Sequence, residues 1–107
     1  GWMTAPYMQA VENADTCIGI VLDGLRNGSD EDWLVVITSD HGGHETHHGT
    51  DMDVDMTTPI IFHGDPTITP GTMLTGPASI IDIAPTITRW LGLQAPPDWR
   101  GQAISYT

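Results

Sequence analysis

The segment Trp33-Leu34-Val35-Val36-Ile37-Thr38-Ser39-Asp40-His41-Gly42-Gly43 joins an apolar run to a polar, glycine-rich turn. Residues 33–38 are apolar and β-branched with no polar alternation. That pattern predicts a strand covered on both faces, as in a parallel sheet. The run then breaks into Ser39-Asp40-His41-Gly42-Gly43. Polar residues at the carboxyl end of such a strand stand where α/β sheets place their ligands. Asp40 offers a carboxylate oxygen and His41 an imidazole nitrogen. Zinc accepts both, and the carboxylate also suits manganese or calcium. Gly42 and Gly43 allow a sharp turn and a close approach of the backbone to a ligand.

Downstream, residues 44–58 read as a polar loop of fifteen, long enough to suggest a functional segment. It brings His44, His47 and His48 within seven residues of His41. These imidazoles can fold back on the same cation, or simply form solvated surface. Asp51, Asp53 and Asp55 alternate with Met52, Val54 and Met56. They lack the glycine and distal glutamate of an EF-hand, so a solvated loop face is the expectation. A second strand, Pro59–Phe62, follows. His63 stands alone after it and reads as a hydrogen-bonded structural histidine. Pro70-Gly71 marks a turn, and Met73-Leu74 suggests a brief edge strand. A second helix is predicted from Asp82 as N-cap, with Pro85 in its first turn and Ile83, Ile87, Trp90 and Leu91 as its apolar face. Gly92 ends it, and Ala95–Trp99 reads as an extended tail.

Upstream, Tyr7, Val11, Ala14, Ile18, Leu22 and Leu25 recur at helical steps. They predict an amphipathic helix capped at Thr4, with Pro6 in its first turn and Asn27-Gly28 at its end. Such a helix covers a sheet. Residues 27–32 form a polar connection to the strand. Trp33 and Trp90 read as packing residues, and Cys17 as a small packed side chain with no base beside it.

The 107 residues are 39% hydrophobic and 16% charged, which is globular. Three arginines against fourteen carboxylates give a formal net charge of −11. This balance argues against a nucleic-acid surface or adhesion to an anionic membrane, and suits a cation. No apolar run approaches a membrane span. A single cysteine excludes an internal disulfide. The order helix, strand, polar loop, strand, helix is α/β. Two or three strands and two helices bury little core, and strands covered on both faces need neighbours. The opening Gly1-Trp2-Met3-Thr4 has no leader-like pattern. The expectation is one portion of a larger domain.

The motif strand with Asp40-His41-Gly42 resembles that of the alkaline phosphatase superfamily, which includes type I phosphodiesterases and nucleotide pyrophosphatases, sulfatases and metal-dependent phosphoglycerate mutases. Other pieces agree in order. Asn13-Ala14-Asp15 and Ile18-Gly19 fit the helix before the motif. Thr58–Gly64 resembles the strand after it. Ser79–Ile87 with Leu91-Gly92 resembles the next helix start, and Trp99-Arg100-Gly101-Gln102 the closing segment. The resemblance spans nearly the whole chain. It implies that residues 1–107 are the C-terminal portion of a doubly wound, mostly parallel α/β domain whose N-terminal part lies elsewhere.

The resemblance further implies two divalent ions, usually zinc, with manganese or calcium as alternatives. Asp40 and His41 would bind one ion, and His48, followed by Gly49, the other. His47 and His44 are the alternatives, as contacts behind the metal or to substrate. The family's serine or threonine nucleophile, an early aspartate and an aspartate–histidine pair lie in segments not matched here. No nucleophile role is carried onto Thr38, Ser39, Thr46 or Thr50. The expected activity is hydrolysis of small phosphate or sulfate esters, with the phosphodiesterase or nucleotide pyrophosphatase type preferred. The rivals are a domain that only binds a divalent cation, and an inactive remnant. Relatives of this kind are often exported, which is the sole pointer to a compartment.

Overall fold

The computed structural model describes residues 1–28, 30–74 and 76–106. The described chain divides into two compact units. The first is Gly1–Trp33 with Thr38–Pro59, and the second Leu34–Ile37 with Ile60–Thr107.

Helix α1, Ala5–Gly28, dominates the first unit. The Thr4 carbonyl accepts the Met8 N–H at 2.9 Å, the first bond of the helical ladder, so the helix begins where expected. The Thr4 hydroxyl donates back to the Gly1 carbonyl at 2.6 Å. Of the predicted stripe, Tyr7, Ile18, Leu22 and Leu25 are half-buried, whereas Val11 and Ala14 are exposed. No residue of α1 is fully buried. Cys17 is exposed rather than packed, because it falls off that stripe.

The loop expected to lack structure is in fact organised. His44 and His47 form an antiparallel bridge, with Glu45 in the left-handed region at φ 51°. A single helical turn, α2, follows at Asp53–Met56. Its effect is to turn Asp55 inward to 2% exposure while Met52, Val54 and Met56 stay exposed. The expectation of a solvated Asp51, Asp53, Asp55 face therefore fails at Asp55. One helical turn replaces the period of two by one of 3.6 and separates the three aspartates.

In the second unit, strands β1 (Val35–Thr38) and β2 (Ile60–His63) pair with each other in a two-stranded antiparallel sheet. Val35, Val36 and Ile37 are each half-buried, while β2 alternates half-buried and exposed, with Ile61 at 49%. The expectation of strands buried on both faces is not met within this unit, where the sheet has two strands and no third among the described residues. A doubly wound parallel sheet is not formed by these residues alone. Met73 and Leu74 form no strand. His63 is exposed at the end of β2, with no side-chain hydrogen bond among the described residues, so it is not a tied structural histidine.

A 3-10 turn at Ile80–Asp82 leads into α3, Ile83–Trp90. Asp82 does not cap α3 with its side chain. Its carboxylate instead accepts the Ser79 N–H at 2.8 Å and the Gln102 N–H at 2.9 Å, closing a capping box one turn earlier. Gly92, at φ 74°, ends α3 where expected. Its N–H reaches the Arg89 carbonyl and the Leu93 N–H reaches the Thr88 carbonyl, both at 2.9 Å, the Schellman pattern.

The buried face of α3 is Pro85 and Thr86, whereas Ile87 and Leu91 are 36% and 57% exposed. The chain end explains this shift. Ile104 and Tyr106, both 8% exposed, fold back over the helix. The Ile104 N–H donates to the Thr86 hydroxyl at 2.8 Å, and that hydroxyl donates to the Asp82 carbonyl at 2.6 Å. Arg89 donates to the Ile104 carbonyl at 2.5 Å and lies 5.3 Å from the centre of the Tyr106 ring. The Tyr106 hydroxyl donates to Asp65 at 2.7 Å, and its ring meets Phe62 at 5.1 Å. At Gly101 a Cβ would overlap the Ile81 carbonyl, so only glycine allows this close crossing.

Candidate metal centre

Asp40 and His41 follow β1 in the chain, after the last strand residue Thr38 and Ser39. The Ser39 hydroxyl donates to the His41 carbonyl at 2.9 Å, which closes the turn that carries both donors. The His41 Nδ1 lies 2.6 Å from the Gly42 carbonyl. A carbonyl only accepts, so Nδ1 carries the proton and the neutral ring keeps its lone pair on Nε2. That Nε2 stands 3.7 Å from Asp40 Oδ2. Two donors bound at about 2.1 Å in a tetrahedral set are separated by about 3.4 Å. The pair is therefore spaced to share one cation, with a charged oxygen and a neutral nitrogen of the kind zinc accepts. The Asp40 side chain is 86% exposed and that of His41 39%, so both donors are open to an incoming ion.

His48 stacks on His41, ring centres 4.6 Å apart and planes 20° apart. His47 tilts against His44 at 5.8 Å. The four imidazoles of the loop thus form two pairs. Among the described residues, no three His, Cys, Asp or Glu side chains gather around a single point suited to a metal ion. The residues present supply a two-donor half-site, Asp40 with His41, and place the His48 ring beside it.

The residue missed in the sequence is Asp55. Its side chain is fully shielded. One carboxylate oxygen accepts from His44 Nδ1 at 2.7 Å, and the other from the Thr50 N–H at 3.0 Å and the Thr50 hydroxyl at 2.5 Å. Its main-chain carbonyl accepts the Gly42 N–H at 2.7 Å. The Thr50 hydroxyl, then the His44 ring, hold the Asp55 carboxyl down to about 2. A carboxylate ionised to that degree accepts only, so His44, like His41, carries its proton on Nδ1.

The two glycines are crowded by the protein itself, where a ligand was expected. A Cβ on Gly42 would overlap the carbonyl oxygens of Val54 and Thr57, and one on Gly43 the ring of Trp2. Trp2 is itself tied in, its N–H donating to the Glu45 carbonyl at 2.5 Å.

The sequence profile of the Sulfatase family matches residues 3–93. Curated relatives include 2,3-bisphosphoglycerate-independent phosphoglycerate mutases. That of Trichormus variabilis is 32% identical over 109 residues, covering 92% of this chain and 20% of the relative. That of Staphylococcus aureus is 32% identical over 108 residues, covering 95% and 20%. That of Nostoc sp. is 31% identical over 109 residues, covering 92% and 20%. The chain thus spans about a fifth of the length of these relatives. No solved structure matches it. No helix among the described residues is long and apolar enough to cross a membrane. A match over most of the chain, carried through the Asp40-His41-Gly42 turn and the elements on either side of it, places this chain in the Sulfatase family of the alkaline phosphatase superfamily.

Proposed function

We propose that these residues form the C-terminal, metal-binding portion of a metal-dependent enzyme that transfers phosphoryl or sulfuryl groups. We read it as a hydrolase of small phosphate or sulfate esters, of the phosphodiesterase or nucleotide pyrophosphatase type. The observation that carries this reading is the Asp40–His41 pair, with Oδ2 and Nε2 at 3.7 Å and the His41 lone pair directed by the Gly42 carbonyl. Asp40 and His41 would hold one divalent ion and His48 the other. Two such ions, most simply zinc, would supply charge stabilisation to the attacking and leaving oxygens of an in-line displacement. Asp40 contributes negative charge that offsets part of the cation's. Gly42 fixes the His41 ring through its carbonyl, and its own N–H anchors the turn to Asp55. The nucleophile that forms the covalent phospho- or sulfo-enzyme is assigned to another part of the full-length protein.

The name of the curated relatives favours a second reading, intramolecular transfer of a phosphoryl group between hydroxyls of phosphoglycerate. Both readings are tested on the full-length protein loaded with Zn²⁺ or Mn²⁺. Substrates are bis-p-nitrophenyl phosphate, p-nitrophenyl phosphate, p-nitrophenyl sulfate and the phosphoglycerate isomers. Release of p-nitrophenolate supports the hydrolase, and isomer interconversion without phosphate release supports the mutase. Losing even a group behind a metal ligand costs about 10–100-fold, so Asp40→Asn and His41→Ala should each lower turnover by more than about 100-fold. Wild-type turnover from Asp40→Asn would exclude the metal role. Activity that survives exhaustive chelation would exclude the metal-dependent class altogether.

A further inference from the structure

Asp55 is a buried carboxylate with no part in the donor pair, yet it holds three points of the loop that follows. Its carbonyl takes the Gly42 N–H, one carboxylate oxygen takes the His44 ring, and the other takes both the N–H and hydroxyl of Thr50. These points bracket the segment that contains His44, His47 and His48. The Thr50 hydroxyl also accepts the Met52 N–H at 3.1 Å, which ties the far end of the loop into α2. Every side-chain contact of Asp55 is one in which it accepts. An asparagine of the same shape could keep at most part of this set, because its amide nitrogen donates.

We propose that Asp55 is a positioning residue of the metal loop: it fixes His44 in the Nδ1–H form, with the Nε2 lone pair free, and holds residues 42–50 in the shape that sets His48 beside His41. The physical logic is that of a carboxylate behind an imidazole, which fixes both the proton's location and the ring's orientation. His41 reaches the same protonation pattern through the Gly42 carbonyl. The loop therefore offers two imidazole lone pairs, one set by a neutral main-chain acceptor and one by a buried charge. This proposal rests on reading Asp40 and His41 as metal ligands for its functional consequence, but not for the His44 geometry.

The test uses the full-length protein labelled with ¹⁵N-histidine, with the His44 resonances assigned by His44→Gln. Long-range ¹H–¹⁵N correlation at alkaline pH should show the neutral His44 ring protonated on Nδ1 in the wild type. In Asp55→Asn the amide donates to Nδ1, so the proton should move to Nε2. An Nε2–H ring in the wild type, or no change in Asp55→Asn, overturns the proposal. The same variant should bind Zn²⁺ about 10–100-fold more weakly by titration. Unchanged Zn²⁺ affinity in Asp55→Asn also overturns it. If Asp55→Asn does not fold, Thr50→Val takes its place. It removes one carboxylate contact, keeps His44 as the Nδ1–H form and weakens Zn²⁺ binding less, and Zn²⁺ affinity equal to the wild type again overturns the proposal. If instead Asp40→Asn and His41→Ala bind Zn²⁺ like the wild type, the metal reading fails, and the His44 ring measurement still decides whether Asp55 sets its proton.

Discussion

The two units are each fastened by a buried polar side chain, but of opposite kinds. In the loop beside the candidate metal donors the fastener is a charge, Asp55, which accepts from His44 and twice from Thr50. Under the closing tail it is a neutral hydroxyl, Thr86, which is 0% exposed, donates to the Asp82 carbonyl and accepts from the Ile104 N–H. The apolar core among the described residues is small, with Ile104 and Tyr106 as its buried members. Both units therefore depend on directional bonds more than on bulk burial. The difference lies in what each fastener can sense. A carboxylate answers to protons and to cations, whereas a threonine hydroxyl answers to neither. The unit that carries the candidate metal donors is the one fastened by the responsive group.

Gly42→Ala places a methyl against two main-chain carbonyls that cannot swing aside. Overpacking of this kind costs about 1–3 kcal/mol or more. The expected outcome is a loss of about 3 kcal/mol in urea unfolding of the full-length protein, with Zn²⁺ affinity lost alongside. A variant that is less stable yet binds Zn²⁺ normally would separate the loop's packing from its donors. Next, Thr86→Val keeps shape but leaves the Ile104 N–H buried without an acceptor. The cost expected is about 1–2 kcal/mol, read as a lower urea midpoint at unchanged slope. Zn²⁺ affinity should not move. A fall in Zn²⁺ affinity here would show that the two fasteners are not independent.

The smallest effect is the acid response. The Asp55 carboxyl lies well below its ordinary value of 3.8, at about 2, so folding holds it in the charged form. Its contribution to stability is full above about 3.8 and is lost as the pH falls towards about 2. Asp65 shifts in the same direction, held down chiefly by the Thr67 hydroxyl. Amide exchange between pH 5 and pH 2.5 should show protection at the Thr50 N–H falling below about pH 3.8, where Asp55 of the opened loop takes up a proton. The Ile104 N–H, which is bonded to a hydroxyl, should change less. Equal loss at both amides would mean that acid opens the molecule globally rather than through the loop.

The sequence made the centre of this fold legible and its fastenings much less so. The β-branched run before Asp40-His41 marked a strand, because that signal is local. The ends of α1 and the stop at Gly92 were legible for the same reason. Asp55 was not. Its partners His44 and Thr50 lie eleven and five residues away in the chain. The surrounding Asp51-Met52-Asp53-Val54-Asp55-Met56 also imitates a solvated alternating face. Only the turn of α2 reverses that reading. Asp82 misled for a related reason: an acidic residue before a helix looks like its cap, whereas this one is shared between Ser79 and a residue twenty positions on. The tail did carry a readable signal. Ile104-Ser105-Tyr106 alternates apolar and polar, the pattern of a segment with one covered face. It lies just beyond the closing segment Trp99–Gln102.

One consequence follows from the ring of Trp2. It lies against Gly43, close enough that no side chain fits there, and 5.1 Å from the ring of Tyr7. The first unit thus carries an optical donor and acceptor at the edge of the turn at Gly43. Light absorbed by Tyr7 passes efficiently to an indole that touches the backbone of residue 43. The emission of Trp2 is therefore sensitive to any event that lifts Gly43 away from it, and is read alone once Trp33, Trp90 and Trp99 are replaced.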